Sequence, residues 1–100
     1  MKPLEIDITA RALNQLDDIQ ISLEEMRSGR ADKFVERLRK TGELLLLFPE
    51  IGVAKSHLGD GMRAFLIWDY VLLYRVTTAH VRVEAIIHGA RNIESAFYEE

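Results

Sequence analysis

The chain is 100 residues long, has no cysteine, and carries a net charge of −3 from 13 basic and 16 acidic residues. Those values exclude a disulfide framework and a thiolate metal site, and they argue against a protein that grips nucleic acid over its whole surface. With 48% hydrophobic residues, one domain with a sizeable core is expected over residues 1–100.

The N-terminal stretch MKPLEIDI lacks the apolar centre of a signal peptide. The apolar run Leu44–Phe48 is far short of the ~20 residues that a membrane span requires. A cytoplasmic protein with no membrane partner is expected.

Leu4, Ile6 and Ile8 alternate with Glu5 and Asp7, which predicts a short strand with one buried face. Thr9 suits a helix N-cap, because its hydroxyl can accept from an otherwise unpaired amide of the first turn. Leu13, Leu16, Ile19, Leu23 and Met26 then recur at spacings of three and four, one stripe of an amphipathic helix. Ser28-Gly29 ends it, glycine taking the left-handed conformation without steric cost.

A second helix places Ala31, Phe34, Val35, Leu38, Gly42, Leu45 and Leu46 on one face, with Lys33, Glu36, Arg37, Arg39, Lys40 and Glu43 opposite. Pro49 disfavours helical geometry at Phe48, so the helix stops there. The short link between the helices predicts an antiparallel hairpin. Glu50 to Gly61, punctuated by Gly52, Gly59 and Gly61, reads as a loop.

Three apolar-rich runs follow within Met62–Arg91, separated only by Asp69 and by Thr77-Thr78-Ala79. Breaks this short join antiparallel neighbours, since a parallel crossover needs roughly a dozen residues. In the first strand Arg63, Phe65 and Ile67 oppose Ala64, Leu66 and Trp68. In the second, Tyr70, Leu72, Tyr74 and Val76 oppose Val71, Leu73 and Arg75. In the third, Val81, Val83, Ala85 and Ile87 oppose Arg82, Glu84 and Ile86.

The fold class is therefore α+β: a strand, a helix hairpin, then a three-stranded antiparallel meander, with the helices on one face. The other face is expected to stay partly apolar and open, which often marks a partner site. The segment from Lys55 to Arg91 holds Lys55, Arg63, Arg75, Arg82 and Arg91 against Asp60, Asp69 and Glu84, so the sheet half is mildly basic.

The helix end LLLLFPEIG, the strand start Met62-Arg63, the segment YVLLYRV and the terminal run VEAIIHGARN, in this order and spacing, resemble the RelE/ParE superfamily of toxins from type II toxin–antitoxin pairs. The resemblance spans nearly the whole chain. It implies a small sheet with helices on one face and a cognate antitoxin encoded beside the toxin. It also implies a heterotetramer or larger complex in which a mostly disordered antitoxin tail wraps the toxin.

Two activities divide that superfamily. RelE-like members are ribosome-dependent mRNA endonucleases, and ParE-like members inhibit DNA gyrase by binding. Cleavage through the 2′-hydroxyl needs a base, an acid for the leaving oxygen, and cations aimed at the phosphate. The resemblance offers His88, Arg91, Arg63, Tyr98 and Lys55 for those roles. The matching candidates for target or antitoxin contact are Arg63, Trp68, Arg75, Arg82, Arg91, Phe97 and Tyr98.

The plainer readings are local. His88 suits a strand end closed by nearby hydrogen bonds. Arg63, Arg75 and Arg82 read as solvated or paired strand residues, Arg75 against Glu84 or Asp69. Trp68 and Tyr74 read as core or interface.

The departures favour the ParE-like branch. The chain is acidic overall, Val71 follows Tyr70 where RelE-like nucleases commonly carry an arginine, and the loop offers one lysine, Lys55. Glu94, Glu99 and Glu100 would repel a phosphate backbone. A gyrase-binding toxin is expected, with a ribosomal nuclease or a non-toxic binding module as alternatives. No cofactor or metal is expected, since His57 and His80 have no ligand-like spacing.

Overall fold

The computed structural model describes residues 3–99. In chain order the elements are β1 (Glu5–Ile8), α1 (Ala10–Met26), α2 (Arg30–Leu47), β2 (Val53–Ala54), a 3-10 turn (Ser56–Leu58), β3 (Met62–Ile67), β4 (Tyr70–Val76), β5 (His80–His88) and α3 (Ile93–Tyr98). The strands form a single sheet in the order β1-β5-β4-β3-β2. β1 runs parallel to β5, and the other neighbours are antiparallel. Among the described residues no helix is long and apolar enough to cross a membrane.

The helix hairpin forms where its end signals stand. The Thr9 hydroxyl accepts from the Ala12 N–H at 3.1 Å and caps α1. Gly29, at φ +86°, turns the chain in the left-handed region between the helices. The buried side of α1 is Ala12, Ile19 and Leu23 with Leu16 packed beside them, whereas Leu13 and Met26 are exposed. The buried stripe is thus rotated about one residue from the one that hydrophobicity alone marks out. On α2, Ala31, Phe34, Thr41 and Leu45 are buried. The Thr41 hydroxyl donates to the Arg37 carbonyl at 2.9 Å, so its burial leaves no polar group unpaired.

One core joins the hairpin to the sheet. Phe34 and Leu45 meet Ile67, Leu72, Tyr74, Val81, Val83 and Ile86, with Phe65, Trp68 and Tyr70 at its margin. Leu4, Ile6 and Ile8 of the first strand pack on it as well.

Four features depart from expectation. First, β5 does not alternate regularly. Val83 lies opposite Tyr74 and Ala85 opposite Leu73, so Glu84 is the extra residue of a β-bulge. The bulge sends Val81, Val83 and Ile86 to the hairpin side, and Ala85 and Ile87 to the other. Side chains of the first helical segment satisfy its freed backbone. Gln15 Oε1 accepts from the Ile86 N–H at 2.7 Å, and the Thr9 hydroxyl donates to the Glu84 carbonyl at 3.1 Å.

Second, Trp68 is not the end of a strand. It is the first residue of the β3–β4 turn, at φ +53°. That conformation costs a bulky residue roughly 1–3 kcal/mol. Ring contacts with Phe34 at 5.3 Å and the Arg30 guanidinium 4.4 Å above the indole hold it there.

Third, the segment read as a loop contains β2 and the 3-10 turn. Fourth, the second face of the sheet is not open. Leu58, Met62, Leu73, Ala85, Ile87 and Ala96 form a second buried cluster, flanked by Ile93 and Phe97 of α3. The short C-terminal helix and the 3-10 turn cover much of the face expected to be free.

Candidate functional site

The clusters of polar residues follow from the sheet's register. Tyr74 is fully buried on the hairpin side. Its hydroxyl donates to the Pro49 carbonyl at 2.8 Å and accepts from the Gly52 N–H at 2.9 Å. Burial pushes this hydroxyl above the ordinary tyrosine pKa, opposed in part by the Gly52 bond and the Arg63 charge. Arg63, cross-strand from Tyr74, donates to the carbonyls of Glu50 (3.1 Å) and Gly52 (2.8 Å). Together they pin the segment between α2 and β2 to the sheet. Gly52 is needed there, since a Cβ would stand 2.6 Å from the Tyr74 hydroxyl oxygen and 2.8 Å from the Ala64 carbonyl oxygen.

Arg75 and Arg82 are direct cross-strand neighbours, a repulsive arrangement by itself. Each has its own carboxylate. Arg82 Nε donates to Asp7 Oδ2 at 2.9 Å. Arg75 Nε stands 3.3 Å from Glu84 Oε2, an ion-pair contact without the alignment of a hydrogen bond. The extra residue of the bulge therefore also neutralises Arg75.

His88 closes the far end of β5. Its Nδ1 accepts from the Ala90 N–H at 3.1 Å, and its ring meets Tyr70 edge-on at 5.1 Å. The Gly89 N–H donates to the Asp69 carbonyl at 2.7 Å, tying this corner to the hairpin tip. Arg91 follows, exposed, with its guanidinium 2.6 Å from Glu99.

α3 is fastened to the second face by polar contacts at its rim. His57 Nε2 lies 3.0 Å from Glu94 Oε1, and the Tyr98 hydroxyl donates to the His57 carbonyl at 3.2 Å. The bond with His57, then a backbone N–H, hold the Glu94 carboxyl below its ordinary pKa, with Lys55 adding a smaller effect. Arg11 donates to the Ala96 carbonyl at 2.7 Å and lies over the Phe97 ring at 5.0 Å. Glu100, counted with Glu94 and Glu99 as an acidic end, lies outside the described residues.

The candidate residues thus fall into separate groups. Tyr98 bonds the carbonyl of His57, two residues along from Lys55, and His57 in turn meets Glu94. His88 and Arg91 share the end of β5. Arg63 stands apart at the Tyr74 end of the hairpin face, anchoring backbone. The Arg63–Tyr74 and Tyr70–His88 rows are four residues apart on β4, so Arg63 and His88 are separated by about 13 Å along the strands. Trp68 packs into the margin of the core. His57 and Arg11 were missed as partners of α3, because only the fold brings them to it. Among the described residues no group of three or more His, Cys, Asp or Glu side chains is placed to hold a metal ion.

A mostly apolar concavity lies elsewhere. An apolar groove of about 410 Å³ opens between β1 and the hairpin. Ile6 and Ile8 form one wall, Leu16, Val35, Leu38 and Leu46 the others, and buried Leu45, Leu72 and Val83 contribute the floor. Arg39, ion-paired with Glu36 and Glu43, stands at its rim.

A sequence model of the family described as "ParE toxin of type II toxin-antitoxin system, parDE" matches residues 6–93. The chain belongs to the ParE toxin family. The match takes in the sheet, the helix hairpin and the first residue of α3. No curated relative matches it. Among solved structures, "Chromosomal ParDE TA system from P. aeruginosa" superposes with a TM-score of 0.72 at 18% identity, covering 86% of this chain and 96% of that one. That likeness establishes a shared ParE-like fold. This ParE family chain carries that fold with an apolar groove beside β1 and a C-terminal helix fastened to the second face.

Proposed function

We propose that this chain is the toxin of a type II toxin–antitoxin pair, working in the cytoplasm and arresting growth by binding DNA gyrase rather than by cleaving RNA. The observation that carries this reading is the dispersal of the ionisable candidates. A phosphodiester reaction needs base, acid and cation within hydrogen-bond reach of one phosphate. Arg63 is committed to two backbone carbonyls, Arg91 to Glu99, and His88 Nδ1 to a backbone N–H. Arg75 and Arg82 face carboxylates of their own. What remains is surface suited to contact: a groove, an exposed helix end and a C-terminal segment.

The groove between β1 and the hairpin supports a place for the antitoxin. Its walls are aliphatic and its rim carries a charge network. An unstructured antitoxin tail could order itself there with an apolar stripe inward.

Induction of the chain in a bacterium tests the reading through three measurements: growth, mRNA ends at ribosomes, and supercoiling by purified gyrase. Growth arrest with loss of supercoiling supports it. Codon-phased mRNA cuts with intact supercoiling would select the nuclease, with His88, Arg91, Arg63, Tyr98 and Lys55 as its candidate residues. Normal growth would leave a non-toxic binding module.

A further inference from the structure

The β2 strand is short because the chain leaves the sheet edge at Gly52. The Gly52 N–H goes to the Tyr74 hydroxyl and its carbonyl to Arg63, so the backbone is drawn toward the hairpin face. β2 therefore pairs only with Ala64 and Arg63. Among the described residues, the outer edge of β3 from Phe65 to Ile67 has no neighbouring strand.

The direction of the backbone groups along that edge is determined. The Met62 carbonyl accepts from Lys55 N–H at 2.8 Å, and the Met62 N–H donates to the Gly59 carbonyl at 3.1 Å, both away from β4. Antiparallel alternation then points the N–H and C=O of Ala64 and Leu66 outward too. Ala64 is covered by Val53. Leu66 is not, and its side chain is 66% exposed.

Natural edges are usually blunted by charge, proline or a bulge. The run Ala64–Ile67 carries none of these. Of ten large apolar residues exposed among the described residues, five gather at this edge and the segment feeding it: Leu47, Phe48, Ile51, Val53 and Leu66. A hollow of about 250 Å³ adjoins Leu66 on the second face, between Val53, Val71 and Ile93.

We propose that this edge is a homodimer interface, with β3 pairing antiparallel to β3 of a second copy about a two-fold axis at Leu66. The slot is three residues long, closed by β2 on one side and by the Trp68–Asp69 turn on the other. A flexible peptide would gain few backbone bonds there and lose conformational freedom in making them. A second copy arrives with the strand already ordered. Two-fold pairing sets Leu66 opposite Leu66, so its outward N–H and C=O are both satisfied. Val53 and Leu66 of each copy then cover one another.

The test is light scattering of the purified full-length chain from micromolar to submillimolar concentration, with amide exchange read at Leu66. The mass should double from 11.5 kDa, and Leu66 exchange should slow as it does. Leu66→Lys should remain monomeric with an unchanged circular dichroism spectrum, while Val35→Lys, on the distant groove, should dimerise normally. A wild-type monomer at every concentration would overturn the proposal. So would a dimer that Leu66→Lys leaves intact. Protection of Leu66 only by added antitoxin would assign the edge to that partner and overturn the dimer. None of these readouts depends on which cellular target the toxin has.

Discussion

The two faces of the sheet are covered by different means. On one, two helices of 17 and 18 residues bury Phe34, Leu45 and Tyr74 completely. On the other, a six-residue helix buries one alanine well and depends on rim contacts with His57, Arg11 and Glu99. Burial of large side chains contributes far more than exposed ion pairs do. The hairpin face is therefore expected to set global stability. The α3 face should open locally at lower cost. A chain built this way keeps a firm scaffold behind a C-terminal face that opens more readily.

The largest expected effect comes from breaking the first face. Phe34→Ala should cost about 3–5 kcal/mol in urea unfolding, because Phe34 is fully buried and touches the rings of Trp68 and Tyr70. A loss under about 1 kcal/mol would mean that the hairpin face does not dominate.

Tyr74→Phe should cost about 1–3 kcal/mol, since it strands the Gly52 N–H and the Pro49 carbonyl. The same variant sharpens a pH dependence. The folded-state pKa of Tyr74 is raised, so the stabilisation it reports is fully present below the unfolded value of about 10. That part is lost as pH rises from there through the folded value. Urea midpoints at neutral and alkaline pH should fall more steeply in the wild type than in Tyr74→Phe.

On the second face, Ala96→Asp should release α3 while leaving the hairpin and sheet folded. Hydrogen exchange should then speed up over residues 93–98 and stay unchanged in α1 and α2. Uniform acceleration would show that the two faces form one cooperative unit. The smallest effect is expected from Arg91→Ala, which removes an exposed pair with Glu99 worth at most about 1 kcal/mol.

How much of this was legible in the sequence depended on the range of the signal. Thr9, Gly29 and Pro49 act within a turn of their own positions, and the helix hairpin ends where they stand. The antiparallel meander follows from break lengths that are equally local. The bulge at Glu84 left only a weak trace, Ile86 breaking the alternation of the run from His80 to His88, and pairing with β4 is what locates the shift. β2 is too short to show alternation, and it owes its position to Tyr74 and Arg63 more than twenty and ten residues away in the chain. α3 has a local signal in Asn92, whose side chain accepts from the Ser95 N–H and caps the helix. The candidate residues were recognisable by type, but sequence carries no distances. Arg63, His88 and Tyr98 proved to occupy separate parts of the surface.

The most direct measurement is the supercoiling activity of purified gyrase titrated with the purified toxin and with a His88→Ala, Arg91→Ala double variant. If the toxin works by contact without chemistry of its own, both proteins should inhibit supercoiling, and any weakening in the variant should be overcome by raising its concentration. Supercoiling untouched by the wild type, alongside ribosomal mRNA cuts that the double variant no longer makes, would contradict it.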